Sequence, residues 1–288
     1  GEVPMVIVDA QRMGPATGSA TAVAQGDVQF LRWCTSGGFP VIVLAPVDLR
    51  DAYTLTLRAF DLAERFRSPV FVATDKDTVS GKATVDSQSW EQVPVRPRTL
   101  APVDEPFVPY RIERPEQVPA MAHFGGPHLV RFTTSSHDDA GYQAKWPKQI
   151  SSLNQHLMEK VNAHTSEISL VRWDREPGAR TLILSYGVTA LAVREAVLKG
   201  RTRNLALSSL EVLSLWPVPV LALKEAMEGV HQVVVAELNF GQYRREVERV
   251  AGVAFRGRMG PEVNGVCRMD GELISPDEIL AAVEGRTE

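Results

Sequence analysis

A lone cation set among glycines and hydroxyls is the first chemistry this sequence offers. In VIVDAQRMGPATGSATAVAQGD, Val6 to Asp27, Arg12 is followed by Gly14, Pro15, Thr17, Gly18, Ser19 and Thr21. A guanidinium holds a carboxylate through two parallel hydrogen bonds. The apolar run before it, Met5 to Val8, is short and β-branched and ends at a turn, so it reads as a buried strand. A helix expected over 18–33 would aim free backbone N–H groups at the same anion. The same spacing also suits a plain strand–turn–helix connection carrying a surface arginine.

Further polar residues are candidates of lesser weight. Asp9, Asp75 and Asp77 stand at expected strand ends, where carboxylates more often cap the next turn or helix than bind a ligand. Asp27, in QGD, falls inside the expected helix and suits an ion pair, with Arg12 or a partner as its counterpart. In SSHDDAGY, the letters His137, Asp138 and Asp139 resemble metal ligands, but no spaced third donor accompanies them, and a solvated loop is the expectation. His123 and His128 flank FGGPH and read as turn residues. Gly187, after LILSY, is a weak phosphate-turn signal. No Ser/His/Asp or Cys/His grouping points to hydrolysis, so no catalytic side chain and no metal ligand is assigned.

The elements that must position these residues follow from periodicity. The 288 residues suffice for about two domains. Over 1–96, strands at 5–9, 41–45 and 70–74 alternate with helices at 18–33 and 49–67. The second helix shows Leu55, Ala59, Leu62 and Phe66 at spacings of three and four. VIVLA and VFVAT are apolar on both faces, as buried parallel strands are. Three parallel strands are few for an open sheet, so an N-terminal part preceding this sequence is expected to supply the others. Residues 97–170 form a connector, rich in proline at first, with one helix over 148–164 whose face carries Ile150, Leu153, Leu157 and Val161. Residues 171–288 again alternate strand and helix, which implies parallel strands with right-handed crossovers.

Composition narrows the function classes. A net charge of −4 without a basic excess gives no nucleic-acid signature. No apolar stretch approaches the roughly 20 residues of a membrane helix, and no signal-peptide pattern opens the sequence, so the cytoplasm is the expected location. Cys34 and Cys267 belong to no CxxC pattern and are expected to be two buried thiols. A [4Fe–4S] cluster needs four thiolates, more than these two cysteines supply.

QRMGPATGSAT followed by AQGD resembles the QRGGPSTG…EQGD segment of the α subunit of 2-oxoacid:ferredoxin oxidoreductases, the 2-oxoglutarate type in particular. LWPVP, AELNFGQ and DGELISPDEI are similar to that family's second domain. The resemblance implies an α/β fold. Its first part is the second half of a doubly wound, pyrimidine-type thiamine-binding domain, and a transketolase-C-terminal-like α/β domain follows. It also implies oxidative decarboxylation of a 2-oxoacid to its acyl-CoA, with electrons passed to ferredoxin. Arg12, Thr17 and Thr21 take the positions that face the 2-oxoacid, while Met13 and Ala16 depart from a glycine and a serine. The implied cofactors are thiamine diphosphate and magnesium at a subunit interface, a [4Fe–4S] cluster in a partner β subunit, and coenzyme A as co-substrate. The family's YPITP-type segment and the glutamate that activates thiamine precede the region matched here, so the N-terminal part of the α subunit is an expected partner. Glu237, Asn239 and Gln242 match an edge that packs at subunit contacts in the family, and are expected to be interface. Pyruvate and branched-chain 2-oxoacids remain open beside 2-oxoglutarate. Two other readings are a transketolase-like or dehydrogenase E1-like thiamine enzyme, and a non-catalytic assembly subunit.

Overall fold

The computed structural model describes residues 1–19, 21–86, 90 and 92–286. Three strands of the first part form as their β-branched runs suggest: β1 (Met5–Gln11), β2 (Ile42–Leu44) and β3 (Pro69–Asp75). They pair in parallel in the order β1-β3-β2. The fourth strand, β7 (Ser214–Trp216), begins 203 positions after the end of β1 and runs antiparallel beside β2. The sheet is thus extended by the chain's own second half, through a strand too short to show a period in sequence. At the other edge no strand among the described residues pairs with the outer side of β1, and Val8 stands 61% exposed.

Helix α2 (Leu49–Phe66) keeps the expected stripe. Asp48 caps it by accepting from the Asp51 N–H at 2.9 Å, and Leu55, Ala59, Leu62 and Phe66 bury against β2 and β3. Burial of each large side chain in that stripe contributes roughly 1.5–3 kcal/mol. The expected helix over 18–33 is corrected: among the described residues of that span only α1 (Val28–Arg32) is helical, and 12–19 and 21–27 are loop. A short α3 (Lys76–Ser80) follows β3.

The connector holds turns and two isolated bridges before α4 (Pro147–Asn162) and a single turn, α5 (Thr165–Ile168). On α4 the buried positions are His156, Lys160 and Val161, while Ile150, Leu153 and Leu157 are only partly buried, so the apolar stripe is not the face that sinks deepest. Two basic side chains are drawn in because Glu2 lies opposite: it accepts from Lys160 Nζ at 2.8 Å and shares a hydrogen bond with His156 Nε2 at 3.0 Å.

The second sheet comprises β4 (Val171–Asp174), β5 (Thr181–Ser185), β6 (Leu207–Val212), β8 (Gln232–Glu237) and β9 (Glu262–Cys267), in the order β4-β6-β5-β8-β9. All pairs are parallel except β4 with β6. Helices α6 (Thr189–Thr202) and α9 (Pro276–Val283) cover one face, and α7 (Val220–Met227) and α8 (Arg244–Ala254) the other. The SPDE signature of DGELISPDEI forms a capping box at α9, with Ser275 and Glu278 bonding each other's backbone N–H. One continuous core joins Val43 and Ala73 of the first sheet to Leu184, Val212 and Val235 of the second.

Candidate substrate loop

The loop between β1 and α1 is closed on itself. Met13 N donates to Ala22 O at 3.0 Å, Gly18 N to Pro15 O at 2.8 Å and Ala22 N to Ser19 O at 3.1 Å. These N–H groups are spent inside the loop, so the helix-terminus anion site expected near Gly18 does not form. Gly18 has φ +51, and a Cβ there would overlap the Met13 carbonyl, which is why the turn requires glycine.

Arg12 is half-buried at the base of this loop. Its guanidinium donates to the carbonyls of Met13 at 3.3 Å, Ala16 at 3.3 Å and Thr17. Three acceptors leave part of the five-donor fork available. Thr17 and Thr21 are exposed on the same loop, Thr21 with φ +68. The structure therefore keeps the three sequence-predicted residues on one compact loop, with the cation beneath and the hydroxyls at its surface.

Behind Arg12 lie two carboxyls. Burial pushes Asp27 above its ordinary value, with the Arg12 charge pulling the other way. Among the described residues Asp27 forms no ion pair within 4 Å of Arg12; its backbone N–H donates instead to Gln11 Oε1 at 3.0 Å. Asp9, one turn of the pleat before Gln11, is raised to about 6, first by burial and then by the nearby Asp27 charge. Its Oδ2 is buried without a hydrogen-bond partner. Asp75 takes the capping role expected of it, accepting from Thr78 N at 2.8 Å, and Asp77 pairs with Lys76 at 2.9 Å.

Several other candidates are structural. His137 stacks on Tyr110 with ring centroids 3.9 Å apart, and Asp138 accepts from Ala140 N and Tyr142 N at 3.0 and 2.9 Å, so the SSHDDAGY loop folds on itself. Cys34 and Cys267 are both free, and both are exposed rather than buried: Cys34 lies just past the end of α1 and Cys267 is the last residue of β9. Asn239 and Gln242 bond the backbone of Gln25, Gly26 and Gln29 of the same chain, and the buried Glu237 carboxylate accepts from Tyr186 OH and from the Tyr243 and Arg244 N–H groups. Gly187, with φ +55, packs against the Gln25 amide, which a Cβ would overlap. What sequence reading missed is the buried set Glu2, His156, Lys160 and Arg67, beside a cavity of about 640 Å³ that Glu2 and His156 line with Tyr110 and Lys148. The i, i+4 spacing of His156 and Lys160 was its one local trace.

Residues 1–155 match the family described as pyruvate flavodoxin/ferredoxin oxidoreductase, thiamine diphosphate-binding, and residues 179–279 match the pyruvate:ferredoxin oxidoreductase core domain II. The chain belongs to this family of 2-oxoacid oxidoreductases. It is 33% identical over 286 residues to the 2-oxoglutarate synthase subunit KorA of Methanothermobacter marburgensis, covering 99% of this chain and 74% of that one. Its fold is that of the 2-oxoglutarate:ferredoxin oxidoreductase of Magnetococcus marinus solved with 2-oxoglutarate, coenzyme A and succinyl-CoA bound (TM-score 0.86, 22% identity). The match covers 99% of this chain and 49% of that one, so the chain spans about half its length. A split-gene transketolase shares the fold more distantly, with a TM-score of 0.51 at 15% identity over 98% of this chain and 65% of the other.

Proposed function

We propose that the chain is the α-subunit portion of an enzyme that converts a 2-oxoacid, coenzyme A and oxidised ferredoxin to acyl-CoA, carbon dioxide and reduced ferredoxin. 2-Oxoglutarate is the substrate favoured by the named relatives. The observation that carries the reading is the Arg12 loop: a half-buried guanidinium with donors to spare, under two exposed threonine hydroxyls, in a chain of this family. Arg12 binds the substrate carboxylate and Thr17 and Thr21 donate hydrogen bonds beside it.

The described residues do not by themselves form a thiamine diphosphate site. The buried polar atoms without partners on the first sheet, Asp9 Oδ2 and Thr74 Oγ1, lie on opposite faces, since Asp9 is in register with Ala73 and Thr74 with Ala10. Among the described residues no three of His, Cys, Asp and Glu converge to hold a metal ion. We therefore assign thiamine, its diphosphate and magnesium to the contact with a β subunit and the N-terminal part of the α subunit. The [4Fe–4S] cluster belongs to the β subunit as well, because two cysteines on separate elements cannot supply four thiolates. The reaction's carbon chemistry is the cofactor's own; this chain orients the 2-oxoacid toward it. Among the described residues no helix is long and apolar enough to cross a membrane, in keeping with a cytoplasmic enzyme.

Arg12→Ala tests the reading in the assembled complex. It should lower kcat/KM for the 2-oxoacid by roughly tenfold to a hundredfold, the worth of a charge-assisted pair. Arg12→Lys should restore only part, because an ammonium lacks the fork. Thiamine affinity should hold. Normal turnover of Arg12→Ala would favour the second reading, a non-catalytic assembly subunit, for which the donation of Arg12 into its own loop carbonyls is the supporting observation.

A further inference from the structure

We propose that Gln242, with Asn239 behind it, is a positioning residue for the Arg12 loop, so that the second α/β unit sets the pose in which the substrate carboxylate is met. The inference rests on the proposed role of that loop. The loop's C-terminal arm is held by the turn after β8. Gln25 N donates to Leu238 O at 2.9 Å, and Leu238 N returns a bond to Gln25 Oε1 at 3.0 Å. Asn239 Nδ2 donates to Gln25 O at 2.8 Å, and its Oδ1 accepts from Gln242 N at 2.7 Å, which fixes the Gln242 backbone. Gln242 then reaches back with both ends of its amide. Its Nε2 donates to Gly26 O at 2.6 Å and its Oε1 accepts from Gln29 N at 2.8 Å, while Gln29 Nε2 donates to Gln242 O at 3.0 Å.

The other arm of the loop has a different anchor. Gln11, adjacent to Arg12, bonds Thr74 O on the first sheet at 3.4 Å and receives the Asp27 N–H. Arg12 is therefore suspended between the two sheets. One arm is tied to β1 and β3, and the other to the carboxyl end of β8. Met269 and Gly271, also of the second unit, lie against Gly26 and Ala22 and close the loop from above. A clamp of this kind costs affinity when loosened even though it touches no substrate, because a small displacement of a binding cation weakens a directional pair.

Gln242→Glu is the discriminating variant. It keeps the acceptor for Gln29 N but replaces the donor to Gly26 O by a carboxylate oxygen, which repels that carbonyl. Gln242→Met, near-isosteric and uncharged, removes both ends. In the reconstituted holoenzyme each should raise KM for the 2-oxoacid by roughly five- to tenfold, about the loss of one or two hydrogen bonds. KM for coenzyme A and thiamine affinity should stay within about twofold of the parent, because the clamp is proposed to act through the 2-oxoacid contact alone. In the Arg12→Ala background the Gln242 effect should disappear, since both act on one contact. Equal loss of every parameter, or failure of both variants to assemble, would make the clamp structural glue and overturn the proposal. Unchanged 2-oxoacid KM in both variants, with Arg12→Ala impaired, overturns the clamp alone. A full-activity Arg12→Ala removes the loop's role and the clamp together.

Discussion

Arg67→Ala should be the most damaging single change outside the substrate loop, because one side chain organises the connector. Arg67 is 3% exposed and donates to four carbonyls: Glu2 O at 3.2 Å, Pro109 O at 3.1 Å, Pro119 O at 3.2 Å and Ala120 O at 3.1 Å. Its own carbonyl accepts from Lys160, and its guanidinium lies 5.5 Å from the Tyr110 ring. Truncation leaves four acceptors short of a donor. At about 1 kcal/mol for each, the low end for an unsatisfied buried group, the loss is about 4 kcal/mol. Arg67 is also the C-cap of α2, with φ +44, a conformation that costs an L-residue roughly 1 kcal/mol. Arg67→Gly should therefore be about 1 kcal/mol less destabilised than Arg67→Ala, although both lose the same hydrogen bonds. Urea unfolding of the purified protein measures the pair, and limited proteolysis should show new cleavage between residues 97 and 146. An Arg67→Ala protein within about 1 kcal/mol of the parent would refute the hub. Alanine outranking glycine would refute the account of the cap.

Three more expectations follow from the buried charges and the cysteines. Burial alone would raise the Glu2 carboxyl, but the hydrogen bond with His156 and the charge of Lys160 outweigh it and hold the group at about 2. A depressed carboxyl stabilises the fold above its ordinary value of 4.5 and loses that contribution as pH falls toward 2. Roughly 3 kcal/mol is at stake, and the urea midpoint of Glu2→Gln should change distinctly less with acid than the parent's. Arg172 bonds Asp51 Oδ1 and Glu211 Oε2, each at 2.6 Å, and so ties α2 to the second sheet. Its side chain is 42% exposed, so Arg172→Leu should cost only about 1–2 kcal/mol. That cost should shrink when Asp51→Asn is already present, and simple additivity of the two would count against a tie between them. Finally, serine at both Cys34 and Cys267 should leave electron transfer in the reconstituted complex within about twofold of the parent, since the cluster is assigned elsewhere. Loss of the iron–sulfur signal would reverse that assignment.

Local pattern was enough for much of this molecule. The β-branched runs at Val41 and Val70 and the stripe from Leu55 to Phe66 each state their structure within a few residues, because strand pleat and helix period are short-range physics. The candidate loop was legible for the same reason: arginine, threonine and glycine at those spacings are chemical types, readable before any folding. Whether residues 18–27 wind into a helix was not legible there. Their N–H groups had two sets of acceptors to choose between, and docking on Leu238 and Asn239 favoured the closed loop. Tertiary structure alone decided the rest. Ser214–Trp216 joined the first sheet because β2 offered an open edge, and His156 and Lys160 turned inward because Glu2, 158 positions from Lys160, lies there uncompensated. Gln242 serves a loop 216 residues away. Such pairings depend on which surfaces the collapsed chain leaves unsatisfied, and a buried polar group takes whatever partner the fold brings within reach, at a distance along the chain that no local period encodes.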